Sequence, residues 1–147
     1  TGLNILDWCI SCNDPECVEI ILDSTKFPNT QKLQAIKSVI NGGNVEILKL
    51  FIKNGIIKLD QRFNQNSTLL HEVCKNDSYQ LADYLLQQNI IDINEQDLNG
   101  STALHCAVDE GLIDMVKLLI SFKGIDLNIE DEELVSLNFL KHHFKLH

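Results

Sequence analysis

Only two prolines and seven glycines punctuate these 147 residues. That is too few for a collagen-like chain or a flexible linker. Aromatic residues are scarce at 6%, with one tryptophan, and methionine occurs once. No apolar run approaches the roughly 18 residues that a membrane-spanning helix needs. No basic leader precedes an apolar core at Thr1-Gly2-Leu3-Asn4, so this start does not read as a signal peptide. Thr1 in place of Met leads to the expectation of a piece cut from a longer chain or processed. Positive charge is also short: 12 basic side chains face 21 acidic ones, a net charge of −9. That disfavours nucleic acid, whose phosphates would be repelled, and anionic membrane surfaces. A basic or neutral protein partner suits it better. What remains is ordinary globular composition, 44% apolar and 22% charged. The length fits one domain.

Five cysteines, at 9, 12, 17, 74 and 106, are an odd number with no evident disulfide framework. They read as free thiols of a reducing, intracellular compartment, cytoplasm or nucleus.

The chain repeats itself. Ser67-Thr68-Leu69-Leu70-His71-Glu72-Val73 returns as Ser101-Thr102-Ala103-Leu104-His105-Cys106-Ala107, with the two histidines 34 residues apart. The same shift carries Leu85-Leu86 onto Leu119-Ile120 and Asp92-Ile93-Asn94 onto Asp126-Leu127-Asn128. One step earlier Ala35-Ile36-Lys37-Ser38-Val39 keeps the apolar slots and loses the histidine. Leu6-Asp7-Trp8-Cys9 and Leu137-Asn138-Phe139-Leu140 are weaker echoes at either end. The units are about 1–28, 29–62, 63–96 and 97–129, with a partial unit at 130–147.

Each unit reads as two short helices and a long turn. Thr102 caps a first helix running to about Asp109, because its hydroxyl accepts an orphan backbone N–H. Gly111 ends that helix. A second helix, about Leu112 to Ser121, carries Met115, Val116, Leu118 and Leu119 at helical spacing. In the first unit Asp14-Pro15 opens the second helix, aspartate as cap and proline in the first turn. The segment from Glu130 to His147 begins acidic and ends basic, as a helix dipole favours, with Leu134, Leu137, Leu140 and Phe144 on one face. No unit can bury its apolar face alone, so stacking of units is expected.

These units resemble ankyrin repeats. That family's opening, D-x-x-G-x-T-P-L-H-x-A followed by a glycine and a V-x-x-L-L block, is matched by Asp97 to Ala107, Gly111 and Val116-Lys117-Leu118-Leu119-Ile120, with Ala103 in the proline slot. The unit before it has Asn66 for glycine and Leu69 for proline. The resemblance covers essentially the whole chain. It implies an all-α fold, a solenoid of stacked helix-turn-helix units joined by β-hairpin-like turns. It also implies a module that binds a protein or peptide partner on its concave face and turn tips, monomeric, with no cofactor and no catalysis of its own. The alternative is a regulatory or substrate-recruiting segment of a larger enzyme or effector. The family's register places Trp8, Glu72, Cys106 and, further along the helices, Lys75, Asp109 and Glu110 toward a partner. Asn64, Gln65, Leu98 and Asn99 stand at the turn tips. Trp8 has two readings: an aromatic anchor for a partner, or a cover for an exposed end of the stack. The acids would suit a lysine or arginine of the partner.

Signals of catalysis or metal are weak. Cys9, Cys12 and Cys17 lack the second cluster that a structural zinc site uses, and Cys9 and Cys17 fall in apolar helix slots, where cysteine acts as a small hydrophobe. His71 and His105 fill the repeat's own histidine slot, which in the family braces the turn. His105 and Cys106 are adjacent on a helix and point apart, so they form no nucleophile–base pair. His143 and His147 lie four apart without a third ligand.

Overall fold

The structure, a computed structural model, describes residues 5–24, 29–133, 137 and 140, and only the backbone of residues 24, 29 and 30. Among the described residues there are eight α-helices: α1 (Ile5–Ser11), α2 (Pro15–Ser24), α3 (Asn29–Gly42), α4 (Val45–Lys53), α5 (Leu69–Lys75), α6 (Tyr79–Gln87), α7 (Ala103–Asp109) and α8 (Ile113–Ser121). No strand accompanies them among those residues. One antiparallel bridge, Arg62 with Thr68, marks the hairpin-like turn ahead of α5. None of these helices is long and apolar enough to cross a membrane. The chain folds as two compact units, Thr1–Leu59 and Asp60–His147.

In the first unit α1 pairs with α2 and α3 with α4, and the two pairs pack with α1 on α3 and α2 on α4. Their contact buries Leu6, Ile10, Val18, Ile36, Ile40, Leu48 and Phe51. Asp14 caps α2 as expected, accepting the backbone N–H groups of Glu16 and Cys17 at 3.1 and 3.2 Å. A hydrogen bond from the Cys17 thiol first, then the backbone N–H groups of Cys17 and Glu16, hold the Asp14 carboxyl below its usual pKa. Asn44 does the same for α4, toward Glu46 and Ile47. The Asn44 side chain also donates to Asn13 Oδ1 at 2.6 Å, which ties the cap of α4 to the turn between α1 and α2. Cys9 is buried as its apolar slot predicts. Cys17 is exposed, contrary to expectation.

The second unit repeats the plan, α5 on α7 and α6 on α8. Leu70, Val73, Leu81, Leu85, Leu104, Met115 and Leu119 fill its core. Thr102 caps α7 and Leu112 precedes α8, so both boundaries fall where the sequence placed them. α7 stops by a specific device: Gly111, in the left-handed region at φ +69°, donates to Val108 C=O, while Leu112 N–H donates to Ala107 C=O. That is a Schellman ending, which satisfies carbonyls the helix leaves open. Leu137 and Leu140 are buried; Leu134, Asn138, Phe139, Phe144 and the histidines at 142, 143 and 147 lie outside the described residues.

Candidate functional site

The site begins with two histidines that hold turns in place. His71 Nδ1 lies 3.2 Å from the Thr68 N–H and 2.7 Å from the Thr68 hydroxyl, and Nε2 lies 2.9 Å from Ser101 C=O. An N–H aimed at Nδ1 makes that nitrogen the acceptor, so Nε2 carries the proton and donates to Ser101. His105 meets Thr102 in the same way at 3.2 and 2.8 Å. Burial lowers the His71 pKa from its ordinary value, which keeps the ring neutral. The bracing role expected of this slot is what the geometry shows.

The braced turns carry the tips. Asp97 Oδ1 accepts the N–H groups of Asn99 and Ser101 at 2.9 and 3.1 Å, and Asp97 N–H donates to Ser101 C=O at 2.9 Å. Neighbouring tips are laced by a recurring backbone bond: Leu98 N–H to Gln65 C=O at 2.8 Å, then Glu132 N–H to Asn99 C=O at 2.9 Å. Gly100 sits at φ +73°, where an added Cβ would stand 3.2 Å from Asp131 Cα. Glycine there permits both the backbone angle and the close approach of the next turn. Between the units of repeat, Asn94 clasps the following turn, donating to Gly124 C=O at 2.7 Å and accepting from Asp126 N–H at 2.8 Å.

Asn64, Gln65, Leu98 and Asn99 are all exposed on these tips, and Leu98 is 63% exposed despite its apolar side chain. Gln65 itself is left-handed at φ +59°. On the adjoining helices Lys75, Asp109 and Glu110 are exposed. Glu72 is half-buried and already engaged: it accepts the Ser67 hydroxyl at 2.6 Å and has Lys75 Nζ 4.0 Å away. Cys106 departs from the expectation of a partner-facing residue, being only 7% exposed. A thiol is too short to reach past its neighbours where glutamate at the matching position of α5 does. Burial pushes its pKa up to about 11, so it is a covered thiol that favours the protonated form. Charges of Lys75, Asp97, Asp109 and Glu72 all bear on it, which places these groups in one neighbourhood. Trp8 belongs to the other unit, on α1, and is 63% exposed.

No group of three or more His, Cys, Asp or Glu among the described residues could hold a metal ion. All five cysteines are free thiols. Burial raises the Cys74 thiol, and a hydrogen bond to Asp14 raises Cys17 to about 11. A second exposed surface was missed in the sequence. Tyr79 and Ile113 each open a second helix and are exposed. Beside them Asp77, Gln80, Asp114 and Lys117 surround a shallow polar hollow. The signal was there, a large side chain recurring after 34 residues at the first helical position, but it reads like the start of a core stripe.

The chain is matched by a family model for ankyrin repeats, in three copies, over residues 32–131. It is similar to alpha-latrocrustotoxin-Lt1a of Latrodectus tredecimguttatus, 32% identical over 130 residues that make up 84% of this chain and 9% of the toxin. It is also similar to ankyrin repeat domain-containing protein 53 of Mus musculus, 35% identical over 74% of this chain and 21% of that protein. The chain thus spans under a quarter of the length of these relatives. Among solved structures, the ankyrin repeat domain of Bcl-3, a member of the IkappaB protein family, superposes with a TM-score of 0.70 at 20% identity, covering 96% of this chain and 64% of that one. With its helix pairs, capped histidine turns and 34-residue register, this all-α chain belongs to the ankyrin repeat family.

Proposed function

We propose that the chain is a protein-interaction module without catalysis of its own, holding a protein or peptide partner on the turn tips and the exposed side of α5 and α7. The observation that carries this is the row of tips. Asn64, Gln65, Leu98 and Asn99 are exposed, yet their backbone is fixed by the Leu98-to-Gln65 and Glu132-to-Asn99 bonds. An exposed apolar side chain on a rigid frame binds with little ordering cost. Asp109 and Glu110 beside it, on a chain of net charge −9, suit a partner that offers lysine or arginine at the rim. In the second unit His71 and His105 brace turns, and the Cys74 and Cys106 thiols are buried. Five free thiols fit an intracellular setting. Trp8 is a further exposed contact on the first unit.

The test is affinity capture from lysate of the source cell with residues 1–147 as bait. A Leu98→Asp, Asp109→Lys double variant with an unchanged circular dichroism spectrum is the control. The expected result is a protein held by the parent and lost by the variant. A partner held equally by both would remove the tips and α7 from the site. The small share of its relatives' length that the chain spans favours one second reading, a regulatory or recruiting segment within a larger protein. Its mark would be a partner surface in the same polypeptide.

A further inference from the structure

We infer that the hollow at the start of α6 and α8 is a docking site for an arginine of a protein partner, with an apolar side chain next to that arginine resting on Ile113. The turn tips precede α5 and α7, whereas this hollow lies where the second helices begin. It therefore goes beyond the partner-binding proposal and does not rest on it. The hollow has a volume of about 540 Å³ and is lined by Asp77, Tyr79, Gln80, Asp114 and Lys117. A tight turn builds one wall. Tyr79 N–H donates to Asp77 C=O at 3.0 Å, and Ser78 between them is buried. Asp77 and Tyr79 are both exposed where the chain enters α6. The other wall comes from α8, which packs on α6. Ile113, just ahead of Asp114, is 64% exposed.

The fold does not require these side chains. In α4 the matching first position is Val45, a smaller residue that is partly covered. Asp77 matches Gly43 and Gly111, which are left-handed as it is. Glycine suits that backbone better than aspartate, so the helix end gains nothing from the carboxylate. Charge then selects the occupant. Lys117 is already matched by Asp114 at 3.2 Å. The Asp77 carboxylate, the Tyr79 hydroxyl and the Gln80 amide have no protein partner among the described residues. What stands open is one negative charge beside an aromatic ring and an amide oxygen. A guanidinium answers all three: its N–H fork donates to the carboxylate and the amide, and its plane stacks on the ring. An ammonium has neither the fork nor the plane. An aliphatic neighbour on Ile113 would shield the ion pair from water, as the rim of a binding hot spot does. A second copy of the chain brings its own charge of −9 against this surface, which repels it.

The experiment titrates isotope-labelled protein, residues 1–147, with acetyl-Leu-Gly-Arg-amide and follows the backbone amide signals by NMR. In an extended peptide the leucine and the arginine fall on one side. The expected result is saturable shifts at Tyr79, Gln80, Ile113 and Asp114. Replacing the arginine by citrulline, its neutral isostere, should lower the affinity at least fivefold. Asp77→Asn should do the same without disturbing the fold, since Asn13 already holds the equivalent left-handed position. Tyr79→Leu, which keeps an apolar wall and removes the ring, should also weaken binding. Shifts that never saturate, or an affinity indifferent to Asp77→Asn and to citrulline, would overturn the inference. So would a lysine peptide that binds as tightly as the arginine one, which would reduce the site to plain charge. Self-association of the chain that Ile113→Asp abolishes would assign the face to a second copy and overturn it too. Leu98→Asp removes the tip contact and should leave the titration unchanged; loss of the shifts in that variant would place the peptide on the tips instead. Failure of the tip proposal and failure of this one are thus read separately.

Discussion

His71 shows how much a single side chain decides here. Its Nδ1 faces the Thr68 N–H and its Nε2–H holds Ser101 C=O. A second proton must go on Nδ1, against a donor, inside a buried site. The groups that face the ring are mixed: Asp97 and Glu72 favour the charged form and Lys75 opposes it, but burial outweighs them, and the folded pKa is lowered. The unfolded chain keeps the ordinary value near 6.5. Stability is therefore full above about pH 6.5 and is lost as pH falls from there toward the lowered folded value, since the unfolded state binds more protons in that window. Urea midpoints at pH 7.5 and pH 5.5 should fall further for the parent than for His71→Gln; an equal fall would place the proton elsewhere. Leu104 tests packing at the same scale. It is fully buried on α7, and Leu104→Ala should cost about 2–5 kcal/mol by leaving a cavity. A loss under about half a kcal/mol in denaturant melts would mean that Leu104 does not occupy this buried slot, since even full closure of the gap leaves the lost transfer free energy. Cys106 marks where residue-level reading failed. The family register places that position toward a partner, but side-chain reach decides whether it arrives there, and register carries no information on reach.

Helix ends were the most legible elements, because their chemistry is local. Asp14 before Pro15, Thr102 before Ala103 and Gly111 after α7 act within a few residues of themselves, and the structure finds each in the expected place. The outer face of α1–α2 was less legible, since burial of Cys17 depends on what packs over it and not on the spacing within its helix. The ends also differ in quality. Asn13, Gly43, Asp77 and Gly111 hold the same left-handed position after the first helix of each pair, at φ +57°, +67°, +53° and +69°. Ser78 N–H donates to Val73 C=O across Asp77 as Leu112 does to Ala107 across Gly111. Aspartate bears a Cβ in that region and glycine does not, a difference of about 1 kcal/mol. Asp77→Gly should therefore raise the stability by roughly 0.5–1 kcal/mol, and Gly111→Ala should lower it by a similar amount. Thermal melts of the two variants check the pair. A neutral or destabilising Asp77→Gly would show that the aspartate side chain earns its place through a contact of its own.

At the scale of the whole molecule, charge separates binding from folding. The chain carries −9, and several ion pairs among the described residues are exposed, such as Lys49 with Glu46 and Lys117 with Asp114. Exposed pairs contribute at most about 1 kcal/mol and are screened by salt. Stability therefore rests on the apolar contacts between helix pairs, and salt should barely move it. A rim of Asp109 and Glu110 meeting a basic partner behaves differently, because its attraction reaches across solvent and the screening length shrinks from about 10 Å at 0.1 M salt to about 3 Å at 1 M. Affinity for the captured partner, measured by surface-immobilised binding, should fall as salt rises from 0.05 to about 0.5 M, mostly through a slower association rate. The melting temperature should hold nearly constant over the same range. Asp109→Lys with Glu110→Lys should flatten that salt dependence and weaken binding without moving the melt. An affinity indifferent to salt in the parent would sink the basic-partner assignment and leave the apolar contact at Leu98 as the anchor.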